Sequence, residues 1–389
     1  MTVLTLTNSP APQAGRLMTP ALARVFIAMF CATTSFYLLF SAVPAFAGRS
    51  GAGDAVAGLA TGLLMAAAVL AELAAPALEA RFGRRTVFAV ALVLLGAPSL
   101  MLALSHGPVA ILAACAVRGL GFGVTVVLGG ALAATLVPPA RRGEGLGLYG
   151  IVVGAPAIVA MPLAVWFGDR FGYPAVFVAG GLIALAGLAA SLGLPPLTAD
   201  VEPPVALRLA LRDPALIGPA AVFAVGAVAI GVAETFLPVA QGPAGLVAFA
   251  LFVQAATATL ARWSAGRRSD RDGAEGQLVL GMVVAAIGMA LLALDPEPVG
   301  LVGGMALLGC GFGVAQNASL ATMYARTTPG GYGAVSAIWN LAYDAGMGLG
   351  AAAFGLVAAR IGYAGAFGAV ALVVICAIAP AWREGRGAR

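Results

Sequence analysis

The chain has 389 residues, 61% of them hydrophobic and only 10% charged, with a formal net charge of +5 and a mean hydropathy of +1.00. A soluble globular domain carries about 25% charged residues, so a lipid bilayer is the expected solvent for much of this sequence. All 21 basic residues are arginine, which excludes a Walker A lysine and a Schiff-base lysine, and a lone histidine, His106, excludes a multi-histidine metal site.

Twelve apolar runs follow one another, at roughly 24–46, 55–77, 86–105, 108–133, 145–167, 174–194, 214–238, 243–264, 277–294, 299–322, 331–357 and 363–381. Each is long enough to cross a ~30 Å hydrocarbon core as a helix. They are continuously apolar, without the period-two alternation of barrel strands. The first run follows Arg16 and Arg24 and closes on Ala45-Phe46-Ala47, which resembles a signal-peptidase site. It is long for a signal segment, and its loss would spoil the even helix count, so it is read as a span. Cys31, Cys115, Cys310 and Cys376 are far apart and read as small apolar residues within helices, not as a disulfide or metal framework.

If the N-terminus is placed in the cytoplasm and the spans alternate, 17 of the 21 arginines fall on the cytoplasmic side. Only Arg49, Arg170 and Arg360 fall opposite, and Arg118 lies inside a span. This is a positive-inside distribution with both termini cytoplasmic, and the clusters read as topology signals, not as a nucleic-acid surface. The polar stretch 195–213 is expected to be a cytoplasmic linker between an N-terminal bundle, 1–194, and a C-terminal bundle, 214–389, with a short surface helix around Arg208 and Arg212.

A single constant shift, the one that carries Arg81 onto Arg271, superimposes the two halves. Arg81-Phe-Gly83 falls on Arg271-Asp-Gly273, Gly119-Leu-Gly-Phe-Gly-Val124 on Gly309-Cys-Gly-Phe-Gly-Val314, Pro139 on Pro329, and Gly172-Tyr173 on Gly362-Tyr363. One register carries all four matches. A duplicated six-helix unit places substrate at the interface between repeats, near the membrane midplane.

Charges at membrane depth cost about 2.5–3.5 kcal/mol each on insertion scales, so each needs a reason. Four are expected there. Asp344, mid-span, reads as a carboxylate that takes up and releases the coupling proton, or as a structural group bonded to Asn340 one turn away. Arg118, mid-span, reads as an anion-holding group or as half of a static ion pair. Glu234 reads as a proton or cation site, or as a carboxylate at the outer rim. Glu72, near the inner end of its run, reads first as a snorkelling carboxylate or one paired with Arg81 or Arg85, and second as a transport residue. Gln254, Gln316, Asn317, Asn340, Tyr37 and Trp339 are candidate substrate contacts, each with helix packing or interhelical bonding as the alternative. Gly346, Gly348, Gly350, Gly150 and Gly154 are expected to mark close helix approaches, and Pro156 and Pro162 to bend the fifth span.

These residues resemble the major facilitator superfamily. Pro76-Ala-Leu-Glu-Ala-Arg81-Phe-Gly83-Arg84-Arg85 looks like its GxLaDRxGRR loop, and Gly266-Arg-Arg-Ser-Asp270-Arg271-Asp-Gly273 is closer still. Arg118-Gly-Leu-Gly121-Phe-Gly123 is similar to the intramembrane RxxxGxG motif. Gly150-Ile-Val-Val-Gly154-Ala-Pro156 is similar to the antiporter motif GxxxGPxxGG, with its proline one place late. Trp339-Asn340-Leu-Ala-Tyr-Asp344-Ala-Gly346-Met-Gly348-Leu-Gly350 resembles the eleventh helix of a bacterial drug and metabolite exporter branch. The resemblance implies a cytoplasmic gate at Arg81, Gly83, Arg84, Gly266, Asp270, Arg271 and Gly273. Pro76 and Ala80 stand where the family has glycine and aspartate, with Glu79 one place early, so Asp270 with Arg271 is the better candidate for the gate's charge latch.

The expected fold is an all-α membrane protein of twelve transmembrane helices in two pseudo-symmetric six-helix bundles. The expected function is proton-coupled export of a small, largely apolar or amphiphilic molecule by a monomer in a bacterial cytoplasmic membrane. Its partners would be protons, the substrate and the lipid bilayer, with no nucleic acid, no metal and no cofactor. Uptake of a nutrient or organic anion is the alternative. An embedded enzyme is the distant one, since HExxH and GxSxG motifs are absent.

Overall fold

The computed structural model describes residues 18–104, 107–137, 141–194, 207–240, 242–272, 274, 276–294, 297–328 and 331–386. The linker stretch 195–206, His106, Pro139, Pro329 and Gly273 lie outside the described residues, as do the side chains of Arg142, Arg208, Asp270 and Arg271. The described residues form α1 Pro20–Arg49, α2 Gly53–Phe82, α3 Arg84–Leu102, α4 Pro108–Leu136, α5 Arg142–Phe171, α6 Tyr173–Leu192, α7 Leu207–Ala210, α8 Pro214–Phe236, α9 Ala244–Asp272, α10 Gln277–Leu294, α11 Pro298–Ala325, α12 Tyr332–Cys376 and α13 Ile378–Arg386, with no strand among them.

Apolar helices are what a bilayer demands, because every backbone N–H and C=O must bond within its own segment. The chain starts several of them with proline, whose missing N–H costs nothing in the first turn. Pro20 follows Thr19, whose hydroxyl accepts from Leu22 N at 3.2 Å, and Pro214 follows Asp213, whose carboxylate accepts from Ala215 N at 2.9 Å. Eleven described helices are long and apolar enough to span a membrane. The last of them, α12, breaks at Gly362, which has φ 74° and ψ 169°. Gly172, the counterpart of Gly362 in the first half, separates α5 from α6 with φ 88° and ψ 143°. Both glycines take a conformation that a side chain resists, and each divides a span pair at the same place. With α12 counted as two arms, the twelve expected spans are all present.

The repeat is three-dimensional. A Cβ at Gly121 would come within 2.5 Å of Ala91 O, and one at Gly311 within 2.5 Å of Gly281 O. Gly119 and Gly123 press on Leu64 O and Ala68 O, and their counterparts Gly309 and Gly313 press on Gln254 O and Ala258 O, at matching positions of the second half. The shared GxGFGV motif therefore seats α4 on α2 and α3 in the same way that it seats α11 on α9 and α10. Gly346 and Gly350 likewise seat α12 on α8. Gly150 and Gly154 do not behave as expected: a Cβ at either would meet nothing within 4 Å, because that face of α5 is open. α5 runs unbroken through Pro156 and Pro162.

We call the face where α1 begins and α13 lies the near face, and the opposite one the far face. The halves meet chiefly through α2 against α12, with α5 against α9 and α1 against α8. On the far face, Gly48 of α1 lies against Val239, just past α8, and Thr235 Oγ1 of α8 donates to Thr61 Oγ1 of α2 at 3.2 Å. Arginines tie the near ends of the helices to carbonyls: Arg24 donates to Gly193 O at 2.7 Å, Arg85 donates to Leu192 O, and Arg326 donates to Ala215 O at 3.0 Å and to the Glu384 carboxylate at 2.5 Å. Cations at helix C-termini satisfy exposed carbonyls and oppose the negative dipole end.

Candidate functional site

A cavity of ≈ 350 Å³ lies between the halves, on the near-face side of the α2–α12 contact. Its lining is amphiphilic: Met29, Met65 and Met347 with Phe36, Tyr37, Phe122, Tyr149, Trp339 and Tyr343, and among these Glu72, Asp344, Arg262, Gln316 and Asn340. Each half contributes an aromatic cluster. In the first, Phe36 stacks on Phe122 at 3.6 Å and meets Tyr37 edge-on at 5.1 Å. In the second, Trp339 stacks on Phe223 at 4.7 Å, and its indole donates to Ser319 Oγ at 3.1 Å.

The shift that superimposes the halves also relates the cavity walls. Tyr149 answers Trp339, Val153 answers Tyr343, Val126 answers Gln316, and Glu72 answers Arg262. The last pair puts opposite charges at equivalent positions of α2 and α9.

Of the expected site residues, the structure brings Asp344, Tyr37, Gln316, Asn340 and Trp339 into the cavity. It adds two that the sequence did not assign there. Arg262 counts as a topology arginine in the sequence, yet α9 continues to Asp272 and turns it onto the cavity wall. Glu72 is neither a snorkelling group nor a partner of Arg81 or Arg85. Its α2 helix runs on to Phe82, which leaves it inside the bundle, where it lines the cavity together with Asp344.

Other expected contacts lie elsewhere. Arg118 is buried away from this cavity, where it donates to Leu95 O at 3.1 Å, to Ser35 O at 3.3 Å and to Ser99 Oγ. Its bonds are made within the first half, with neutral acceptors and no carboxylate. Gln254 is buried between α9 and α11, with Oε1 unpartnered. Asn317 accepts from Ser269 Oγ at 3.2 Å and crosses from α11 to α9, so it is a packing bond at the near face. Glu234 is buried on α8 and is not among the cavity's lining residues; among the described residues it has no hydrogen-bond or ion-pair partner.

The near-face loop of the first half carries an ion pair: Arg84 Nε donates to the Glu79 carboxylate, with both side chains about one-tenth exposed, and Arg84 Nη1 reaches Thr135 Oγ1 at 3.4 Å. A carboxylate one place early still reaches, because Gly83 turns the chain back with φ 79° and brings α3 alongside the end of α2. Arg81 stacks over Phe82 at 5.2 Å, and Gly266 lies beside the Asn317 amide.

A family model described as Major Facilitator Superfamily matches residues 25–344. An uncharacterized MFS-type transporter of Burkholderia mallei (strain SAVP1) is 38% identical over 92 residues, which is 24% of this chain and 23% of that protein. One of Pseudomonas aeruginosa (strain UCBPP-PA14) is 34% identical over 110 residues, 28% of this chain and 27% of that protein. These matches span about a quarter of each relative's length. Among solved structures, a bacterial homolog of the human lysosomal transporter Spinster, in an inward-facing and occupied conformation, superimposes with a TM-score of 0.79 at 14% identity, covering 95% of this chain and 98% of that one. The nucleoside transporter NupG superimposes with a TM-score of 0.71 at 14% identity, covering 94% and 98%. The shared fold, the duplicated bundle and the match across most of the chain agree: this protein belongs to the Major Facilitator Superfamily.

Proposed function

We propose that this chain is a proton-coupled secondary transporter that exports a small, largely apolar or amphiphilic molecule, such as a drug, metallophore or metabolite, by alternating access. The cavity between the halves is its binding site. The two halves, 1–194 and 214–389, rock around it. It works as a monomer in a bacterial cytoplasmic membrane, with the near face toward the cytoplasm; the arginine distribution supports this orientation.

The observation that carries this reading is Asp344: an ionisable group in a cavity walled by methionine and aromatic side chains, at the contact between the halves. An amphiphile gains from the aromatic and thioether surface. A proton drives the cycle only if it binds the two facing states with different affinity, and a carboxylate at the moving interface meets that condition. The test is transport of amphiphilic fluorescent dyes by proteoliposomes under an imposed proton gradient. Wild type accumulates dye against its gradient, while Asp344→Asn only equilibrates it. If Asp344→Asn and Glu234→Gln both keep gradient-driven transport, the coupling assignment fails.

A second reading, uptake of a polar solute, is favoured by Arg262, Gln316 and Asn340, which give one wall hydrogen-bonding capacity. The likeness to a protein described as a nucleoside transporter adds the fold alone. Counterflow with labelled nucleosides and organic anions separates the two readings, because an amphiphile exporter exchanges neither.

A further inference from the structure

The contact between the halves is a ladder. From the far face inward, Gly355 of α12 lies on Asp54 O, with a Cβ there coming to 2.6 Å, and Gly58 of α2 lies on Ala351 O. Gly62 then lies on Ala352 Cβ, where its own Cβ would come to 2.9 Å, and Gly348 lies on Met65 Cβ at 2.7 Å by the same measure. At the next position inward, Glu72 of α2 and Asp344 of α12 line the same cavity, so two carboxyl groups face each other across the contact. Beyond it, α2 runs on to Phe82 and α12 reaches back to Tyr332. Among the described residues no hydrogen bond or ion pair joins α2 to α12 there. The contacts above it are made by backbone and apolar atoms, with Asp54 of α2 beside Tyr363 of α12 at the far end.

Two carboxyl groups cannot hydrogen-bond to each other without a proton, because an ionised carboxylate only accepts. Two facing carboxylates share a proton because they cannot both ionise at such range. The other titratable groups around the pair do not supply it a countercharge. Tyr37 on α1, Tyr149 on α5 and Tyr343 on α12 are neutral phenols, Glu234 on α8 is a further acid, and Arg262 on α9 is across the cavity, in electrostatic reach of Tyr37 and Tyr343. Both carboxyls line the cavity, so water can carry the proton in and out from the near face.

We propose that Glu72 and Asp344 form one proton-binding clamp between the halves: a single shared proton holds the inner rung shut, and its loss sets two carboxylates against each other and releases the seam toward the far face. The proposal rests on the reading of Asp344 as the coupling group and adds its partner and its action. Proton arrival closes the far face. Release of the proton into the near-face cavity removes what holds it closed. That is the order a proton-driven exporter requires.

The experiment is a distance measurement between spin labels at Ala55→Cys on α2 and Arg360→Cys on α12, which line one hollow on the far face. It is made in lipid vesicles, in protein whose four cysteines are replaced, between about pH 5 and about pH 9. Wild type is expected to shift from a short to a long distance as pH rises. Glu72→Gln keeps its shape and gains an amide that donates to the Asp344 carboxylate without a titrating proton, so the short distance is expected at every pH. Glu72→Ala removes the rung and is expected to give the long distance throughout. A wild type with no pH response, or a Glu72→Gln variant that keeps the wild-type response, overturns the proposal. If Asp344→Asn abolishes the response while Glu72→Gln keeps it, Asp344 titrates alone: the clamp fails and the coupling reading stands. If both substitutions abolish the response but an imposed proton gradient drives no transport in wild type, the clamp stands and the coupling reading fails.

Discussion

Gly58→Ala offers a quantitative test of the closed seam. The added Cβ would press into Ala351 O and sit 3.0 Å from Phe236 Cζ and 3.2 Å from Ala351 C. Two of the three obstacles belong to backbone inside a helix, so they cannot swing aside. Relief requires α2 and α12 to separate by several tenths of an ångström along a line of similar contacts at Gly62, Gly348 and Gly355. Overpacking of this kind costs about 1–3 kcal/mol. The gain in helix propensity, about 1 kcal/mol, applies whether the seam is open or closed and cancels between states. The net penalty falls on the closed-seam state alone and shifts the equilibrium toward far-face opening by about 5–150-fold. Spin labels at Ala55→Cys and Arg360→Cys report the shift as growth of the long-distance population at low pH. Gly154→Ala, whose Cβ meets nothing within 4 Å, is the control and leaves the distances unchanged. A Gly58→Ala variant indistinguishable from that control would refute close packing at this seam.

Three other outcomes are expected. Arg118→Leu breaks three bonds that tie α4 to α1 and α3; at about 0.6–1.7 kcal/mol each in a membrane interior, it lowers the unfolding temperature in detergent while leaving dye affinity unchanged. Glu79→Gln leaves Arg84 without its ionic partner and loosens the near face, by up to about 3–5 kcal/mol for a well-buried pair and less at one-tenth exposure; trypsin cleavage after Arg85 becomes faster, and the exchanged pair Glu79→Arg with Arg84→Glu slows cleavage at that same bond again. Trp339→Phe keeps the stack on Phe223 but loses the bond to Ser319, so quenching titrations with a fluorescent dye show binding weakened by less than about tenfold, while Trp339→Ala weakens it more.

Much of the fold is written in the sequence because bilayer physics leaves few options. Twelve apolar runs become twelve spans, and the GxGFGV repeat announces contacts that recur at matching positions of the second half. Asp344 stands out in the sequence as a mid-span carboxylate, and the structure places it on the cavity wall. Rotation about each helix axis is what stays hidden. These helices are apolar on every side, so no amphipathic stripe tells which residue faces a cavity and which a neighbour. Arg118 looks like a ligand, yet its hydrogen bonds go to neutral acceptors of α1 and α3; Arg262 looks like a topology signal and lines the cavity. Glu72 is misread for a different reason. Hydropathy ends its span near residue 77, but α2 continues to Phe82, and that extra turn moves Glu72 from the rim into the bundle. Gly150 and Gly154 carry an antiporter-like motif yet touch nothing, because the neighbours of α5 decide their contacts, not the motif itself.

Alternating access is tested most directly by locking the seam. A short bis-maleimide joining Ala55→Cys to Arg360→Cys holds the far face closed. The locked protein is predicted to bind dye from the near face with unchanged affinity while its gradient-driven transport stops. Transport that continues at the unlocked rate would contradict a path that runs between the two halves.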